Sequence, residues 1–158
     1  MFIFALLGSL SVADASPTKG VRIGVCAGAS VNCPLAQVRL SYNHDQVGFT
    51  LGAGLLSLSA AGQYYLSPVD SKTRQFVSAS WTPIAFPGAA VGFDGSLFLG
   101  IMSGYGLSYG ADIHLTEKRW LVISPKIGLN IIETAEGDGS NSRTLVHPSL
   151  STDLSLAF

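Results

Sequence analysis

The sequence predicts an all-β chain closed into an eight-stranded antiparallel up-and-down β-barrel. Three observations predict it. Apolar residues alternate with small or polar ones at period two through most of the chain. Eighteen glycines and clusters of turn-forming residues cut that alternation into segments. No segment sustains a helical period. With 158 residues there is room for one domain, and 47% apolar residues suffice for a core.

Taken in order, Met1 to Ala15 form an apolar segment that ends in Ala13-Asp14-Ala15, the small-x-small pattern of a secretory signal peptide. No Lys or Arg precedes the apolar run, which departs from that pattern. Residues 16–33 are assigned to an N-terminal extension and residues 34–158 to the barrel domain. The expected strands are 34–43, 46–56, 58–67, 74–83, 89–100, 103–115, 119–132 and 144–158. Segment 20–29 also reads as a strand, but single-chain membrane barrels carry even strand numbers, so it is placed in the extension. Asn43-His44-Asp45 and Thr116-Glu117-Lys118 predict short turns, and Ser67 to Ser71 a longer loop. The longest connection, Thr134 to Arg143, contains Gly-Asp-Gly-Ser-Asn-Ser.

Only 12% of residues are charged and the net charge is -1, so no basic patch points to nucleic acid. Ordinary domains carry about 25% charged residues. After Ala15 no stretch approaches the roughly 20 apolar residues of a membrane-spanning helix, so any crossing of a bilayer is made by strands.

The two faces of the strands differ in kind. Val38, Leu40 and Tyr42 share a parity, as do Val47, Phe49 and Leu51, then Val91, Phe93, Leu97 and Leu99. Leu107, Tyr109, Ile113 and Leu115 continue the pattern, then Leu121, Ile123, Ile127 and Leu129. The opposite parity is mostly Gly, Ser, Ala and Thr. A wet outer surface is normally about a quarter to a third Lys, Arg, Glu and Asp. Small residues instead suit the narrow interior of an eight-stranded barrel. Arg39, Asp94, Asp112, Lys126 and Asp153, the charges that fall well inside expected strands, all take the small-polar parity. An Arg or Lys facing lipid near the midplane costs about 2–4 kcal/mol, so this arrangement predicts a transmembrane β-barrel with its charges in the lumen. There they pair with one another and with His114, His147, Gln37 and Gln63, because an unpaired buried charge is costly. The expected result is a polar plug. Open channels go with about 16 to 18 strands, so a conducting porin does not fit.

Tyr42, Tyr64, Tyr65, Trp81 and Tyr105 fall near expected strand ends, where aromatic rings form girdles at lipid headgroups; ordinary core aromatics are the alternative. Pro125 and Pro148 each remove a ladder hydrogen bond, which predicts bulges or a displaced strand boundary.

The final segment places Leu150, Thr152, Leu154, Leu156 and Phe158 on one face, with Ser149, Ser151, Asp153, Ser155 and Ala157 on the other. An alternating strand ending in Phe resembles the C-terminal signature of bacterial outer-membrane β-barrels. The resemblance implies a Gram-negative outer-membrane location, lipid around the barrel, and recognition of the Phe158 strand by the barrel-assembly machinery. It implies no cofactor and names no surface partner.

Cys26 and Cys33 are an even count in a chain with an export signal, which suggests a disulfide if the intervening residues turn; two buried thiols are the alternative. No spacing of His and Cys matches a metal site. His147-Pro148-Ser149 is similar to the His-x-Ser of outer-membrane lipid A deacylases, with Asp153 or Asp112 as the acid. That resemblance spans three residues, and both side chains take the lumen parity, away from acyl chains. The sequence therefore favours a structural or surface-interaction barrel acting through its loops over a lipid A-modifying hydrolase. A soluble exported barrel binding a small apolar ligand is the third class, and it requires Val38, Phe49, Phe93 and Ile113 inside.

Overall fold

A computed structural model describes residues 19–30, 33–54, 57–69, 71–91, 97–116, 118–135 and 142–158. The expected signal segment and Asp94 lie outside them. The strands are β1 Lys19–Ser30, β2 Cys33–His44, β3 Val47–Gly54, β4 Ser57–Tyr65, β5 Thr73–Val91, β6 Leu97–His114, β7 Leu121–Ala135 and β8 Ser142–Ala157. All neighbours are antiparallel in chain order, and β1 pairs with β8 to close the barrel.

The strand count agrees with expectation, but its make-up does not. Residues 19–30 are a wall strand and not an extension, because β2 and β8 both need a partner and β1 supplies it to each. Its alternation of Val21, Ile23 and Val25 with Arg22, Gly24 and Cys26 has the same pattern as the rest. The expected strand 89–100 does not exist as a unit. Its start belongs to the long β5 and its end to the long β6, which pair across Val91 and Leu97.

Walking round the register gives the geometry. From Leu156 the partners run through Ile23, Leu40, Leu51, Ala60, Trp81, Tyr105 and Ile131, and return to β8 at Val146, ten residues away. A shear of this size for eight strands goes with a tilt of about 35–45° and a lumen that side chains fill. Because the shear is even, the outward face stays outward all the way round.

Strand lengths divide the barrel into a short wall and a tall one. β1 to β4 have 8 to 12 residues, whereas β5 to β8 have 15 to 19. The near end holds Lys19 and Ala157, and the tall wall overshoots at the far end. There, among the described residues, β8 has no β1 partner before Leu150, and β5 has no β4 partner after Ala85. At the near end Asp45 takes a φ of 51° in the two-residue turn between the paired His44 and Val47. The N–H of Phe158 donates to the Val21 carbonyl, carrying the β1–β8 seam one residue past the strand.

The prolines act differently from expectation. Pro125 neither bulges nor ends its strand: the β6–β7 ladder lacks the partners at 111 and 112, and the same register resumes at Ile113. Pro148 sits where, among the described residues, β8 pairs with β7 alone. The register shifts occur instead between Leu58 and Ala60, and in β5 on either side of Ala85, between Pro83 and Pro87. A proline has no N–H to donate, so these are the positions that tolerate one.

Candidate functional site in the barrel lumen

The core of this barrel is inverted. Among the described residues the buried apolar side chains are Cys26, Cys33, Ala61, Tyr65, Phe76, Val122 and Ile132, while the buried polar set is three times larger. The large aliphatic and aromatic side chains point out: Leu107, Leu150 and Ile127 are 66%, 65% and 63% exposed. Val38 and Phe49 also face outward, at 59% and 50%, opposite to what a barrel with an apolar ligand inside requires.

Two ion clusters occupy the lumen. In the first, Arg22 pairs with Asp112, whose carboxylate also accepts from Tyr65 Oη at 2.7 Å and Ser124 Oγ at 2.7 Å. The Arg74 guanidinium lies 3.9 Å over the Tyr65 ring and donates to the Asp45 carbonyl at 2.5 Å. Phe76 packs edge-on against Tyr65, with centroids 5.6 Å apart. In the second, Asp153 Oδ2 takes both Arg39 Nη1 at 2.8 Å and Lys126 Nζ at 2.5 Å. Between the clusters remains a space of about 10 Å³ lined by Arg22, Arg39, Asp112 and Asp153 among others. That is room for about one water molecule. The lumen is closed at this level.

Toward the far end, Gln37 accepts from Ser59 Oγ at 2.9 Å and donates to Ser57 Oγ at 3.0 Å. His147 Nδ1 lies 2.6 Å from the Pro148 carbonyl, which can only accept, so Nδ1 carries the proton. Its Nε2 then accepts from Asn130 Nδ2 at 3.4 Å. Cys26 and Cys33 form a disulfide.

Arg39, Asp112, Lys126, His147 and Asp153 are thus all buried in the lumen, divided between two ion clusters and a separate histidine pair. His114 is half-buried at the end of β6. The alternative set of His147, Ser149 and Asp153 is not brought together as a catalytic arrangement. Both ring nitrogens of His147 are committed to Asn130 and Pro148, and the Asp153 carboxylate to two cations. Among the described residues no group of acids, histidines and cysteines is arranged to hold a metal.

Sequence reasoning missed Arg22 and Arg74. Arg22 lay in the supposed extension and Arg74 at the first residue of an expected strand. The signal was available in the parity of Arg22 between Val21 and Ile23. Tyr65 is a correction of another kind: it is fully buried against Asp112 and not in a girdle. Its neighbour Tyr64 faces outward, so one of two adjacent tyrosines must turn in. Trp81 and Tyr105 do face outward, but as a register pair inside β5 and β6, away from the strand ends. No known protein family, curated protein or solved structure matches this chain.

Proposed function

We propose that the protein is an integral outer-membrane β-barrel with a closed, polar-plugged lumen, serving a structural or surface-interaction role through its far end. The observation that carries this reading is the division of side chains by face. Buried charges fill the inside, while Leu40, Leu51, Leu58, Leu107, Ile127, Leu129, Leu150 and Leu154 stand about half exposed or more on the outside. In water such an exterior drives aggregation, whereas in lipid it is the favoured solvent contact.

The tall wall supports an orientation. Open sheet edges are not tolerated in hydrocarbon, because their backbone groups find no partner there. The stretches of β5 and β8 that have a single partner among the described residues therefore stand clear of the lipid at the far end. Glu133, an exposed charge facing out of the described part of the wall, lies in this overshooting region, paired with Thr144. The far end then faces the cell exterior and presents the wall to its surroundings.

The test is electrophoretic. Protein extracted from outer membranes in detergent should migrate faster unheated than boiled, as a folded barrel does. A chain that stays in solution without detergent overturns the reading.

A further inference from the structure

A groove of about 570 Å³ crosses the outer wall from β1 to β5. Leu40, Leu51, Ala60 and Trp81, joined in register, form its lower edge. Val38, Ala53 and Leu58, two residues further toward the far end on each strand, form its upper edge. Between the edges lie the buried, inward positions Arg39, Gly52 and Ser59, so the floor is backbone. Ala60 is flanked by Leu51 and Trp81, and Ala53 by Val38 and Leu58, all about half exposed. Each edge therefore dips at an alanine. At the β5 end two steps along β4 oppose three along β5, and the extra residue brings Pro83 into the groove.

The dimensions select the occupant. Same-face residues two apart on a strand are separated by about 6.6 Å, and five adjacent strands span about 19 Å. A helix with its side chains is about 10–12 Å across and too wide. An added peptide strand finds no free backbone, because β2 and β3 already have partners on both sides here. A second barrel would meet this one convex wall to convex wall and leave the furrow unfilled. Among the described residues no charged side chain points into the groove, so it suits an occupant uncharged along its length. A hydrocarbon chain of one leaflet crosses about half of the roughly 30 Å apolar core, which the 19 Å groove accommodates. The lower end of the groove, at Ile23, pairs with Leu156 at the near end of the barrel.

We propose that this groove seats one acyl chain of a membrane phospholipid, entering from the leaflet at the near end and ending against Trp81 and Pro83. The inference rests on the membrane reading given above. A chain in a furrow touches protein on several sides, where one on a smooth wall touches it on one. Each contact is small, but their sum holds this lipid longer than its neighbours. Trp81, which stands away from the strand ends, is then the end wall of the seat.

The test is native mass spectrometry of full-length protein folded into vesicles of phosphatidylethanolamine mixed with lipopolysaccharide, then released in mild detergent. Wild type should keep one phospholipid per barrel through detergent steps that strip the rest. The double variant Ala53→Leu/Ala60→Leu fills both dips and should lower the phospholipid-bound fraction ten-fold or more. Ala27→Leu, at an exposed position beyond the groove, should leave that fraction unchanged. Retention of no lipid, or equal retention in wild type and the filled variant, would overturn the seat. So would retention of lipopolysaccharide in place of phospholipid, or a protein dimer that the filled variant loses. If the filled variant does not fold, Trp81 fluorescence in Trp120→Phe decides. One equivalent of phospholipid brominated on its acyl chain should quench it to saturation in detergent, and quenching that merely follows the lipid-to-detergent ratio overturns the seat. A barrel that shifts on heating but keeps no phospholipid fails the seat alone, whereas a chain soluble without detergent fails the membrane reading itself.

Discussion

Asp153 holds two cations on one oxygen, and this sharing makes it the most exposed point in the energetics of the lumen. An Asp153→Asn change keeps the volume but leaves Arg39 and Lys126 buried without their carboxylate. Breaking a buried pair by removing one partner costs about 3–5 kcal/mol. Urea unfolding in detergent should register a loss of that order, and adding Lys126→Met should recover part of it by removing one orphaned charge. Gly24 is a second single-residue constraint. A Cβ there would meet the Leu154 carbonyl oxygen and, at 2.6 Å, the Ser155 Cβ of the facing strand. Backbone cannot yield as a flexible side chain can, so Gly24→Val should open the β1–β8 seam. The expected result is loss of the fast-migrating band, with Gly62→Val, where a Cβ meets nothing within 4 Å, leaving it intact.

At the scale of the element, proline marks where strands lack a partner. Among the described residues Pro148 lies in the part of β8 that pairs with β7 alone, and a free edge without proline or charge invites another strand. Pro148→Val should therefore promote self-association, read as cross-linked dimers that grow with concentration. Elements also explain which parts of the lumen could be read from the chain. Arg39, Lys126 and Asp153 sit inside strands whose parity is unambiguous, and Asp112, though two residues from the end of β6, closes a long alternating run, so alternation alone puts them inside. Arg22 and Arg74 lie within four residues of strand starts, where alternation is short and boundary placement decides the assignment. The β5–β6 hairpin was illegible for a related reason. Its prolines suggest an ending, yet register shifts absorb them and the strands continue. Contacts such as Asn130 with His147 join separate strands, and no spacing within one segment announces them.

The whole molecule is a polar column inside an apolar sleeve, and the sleeve makes the sharpest test of surroundings. Leu51 is half exposed and lies on the continuous outward row that circles the barrel. Leu51→Arg should destabilise a lipid-embedded barrel by up to about 2–4 kcal/mol, the cost of a midplane cation, measured by unfolding from bilayers. In a water-soluble barrel the same change would be harmless or would improve solubility.

The seam has a consequence for how such a chain comes together. Arg22 pairs with Ala157, 135 positions further on, so the closing contacts join the most distant strands of the described chain. Contacts of such separation form slowly, because a long loop must close before they reward it. Until β8 reaches β1, both present open backbone, which hydrocarbon does not accept and which in water invites aggregation. In a membrane setting, closure and insertion are thus coupled steps, and an unclosed chain waiting in water needs a partner to shield β1.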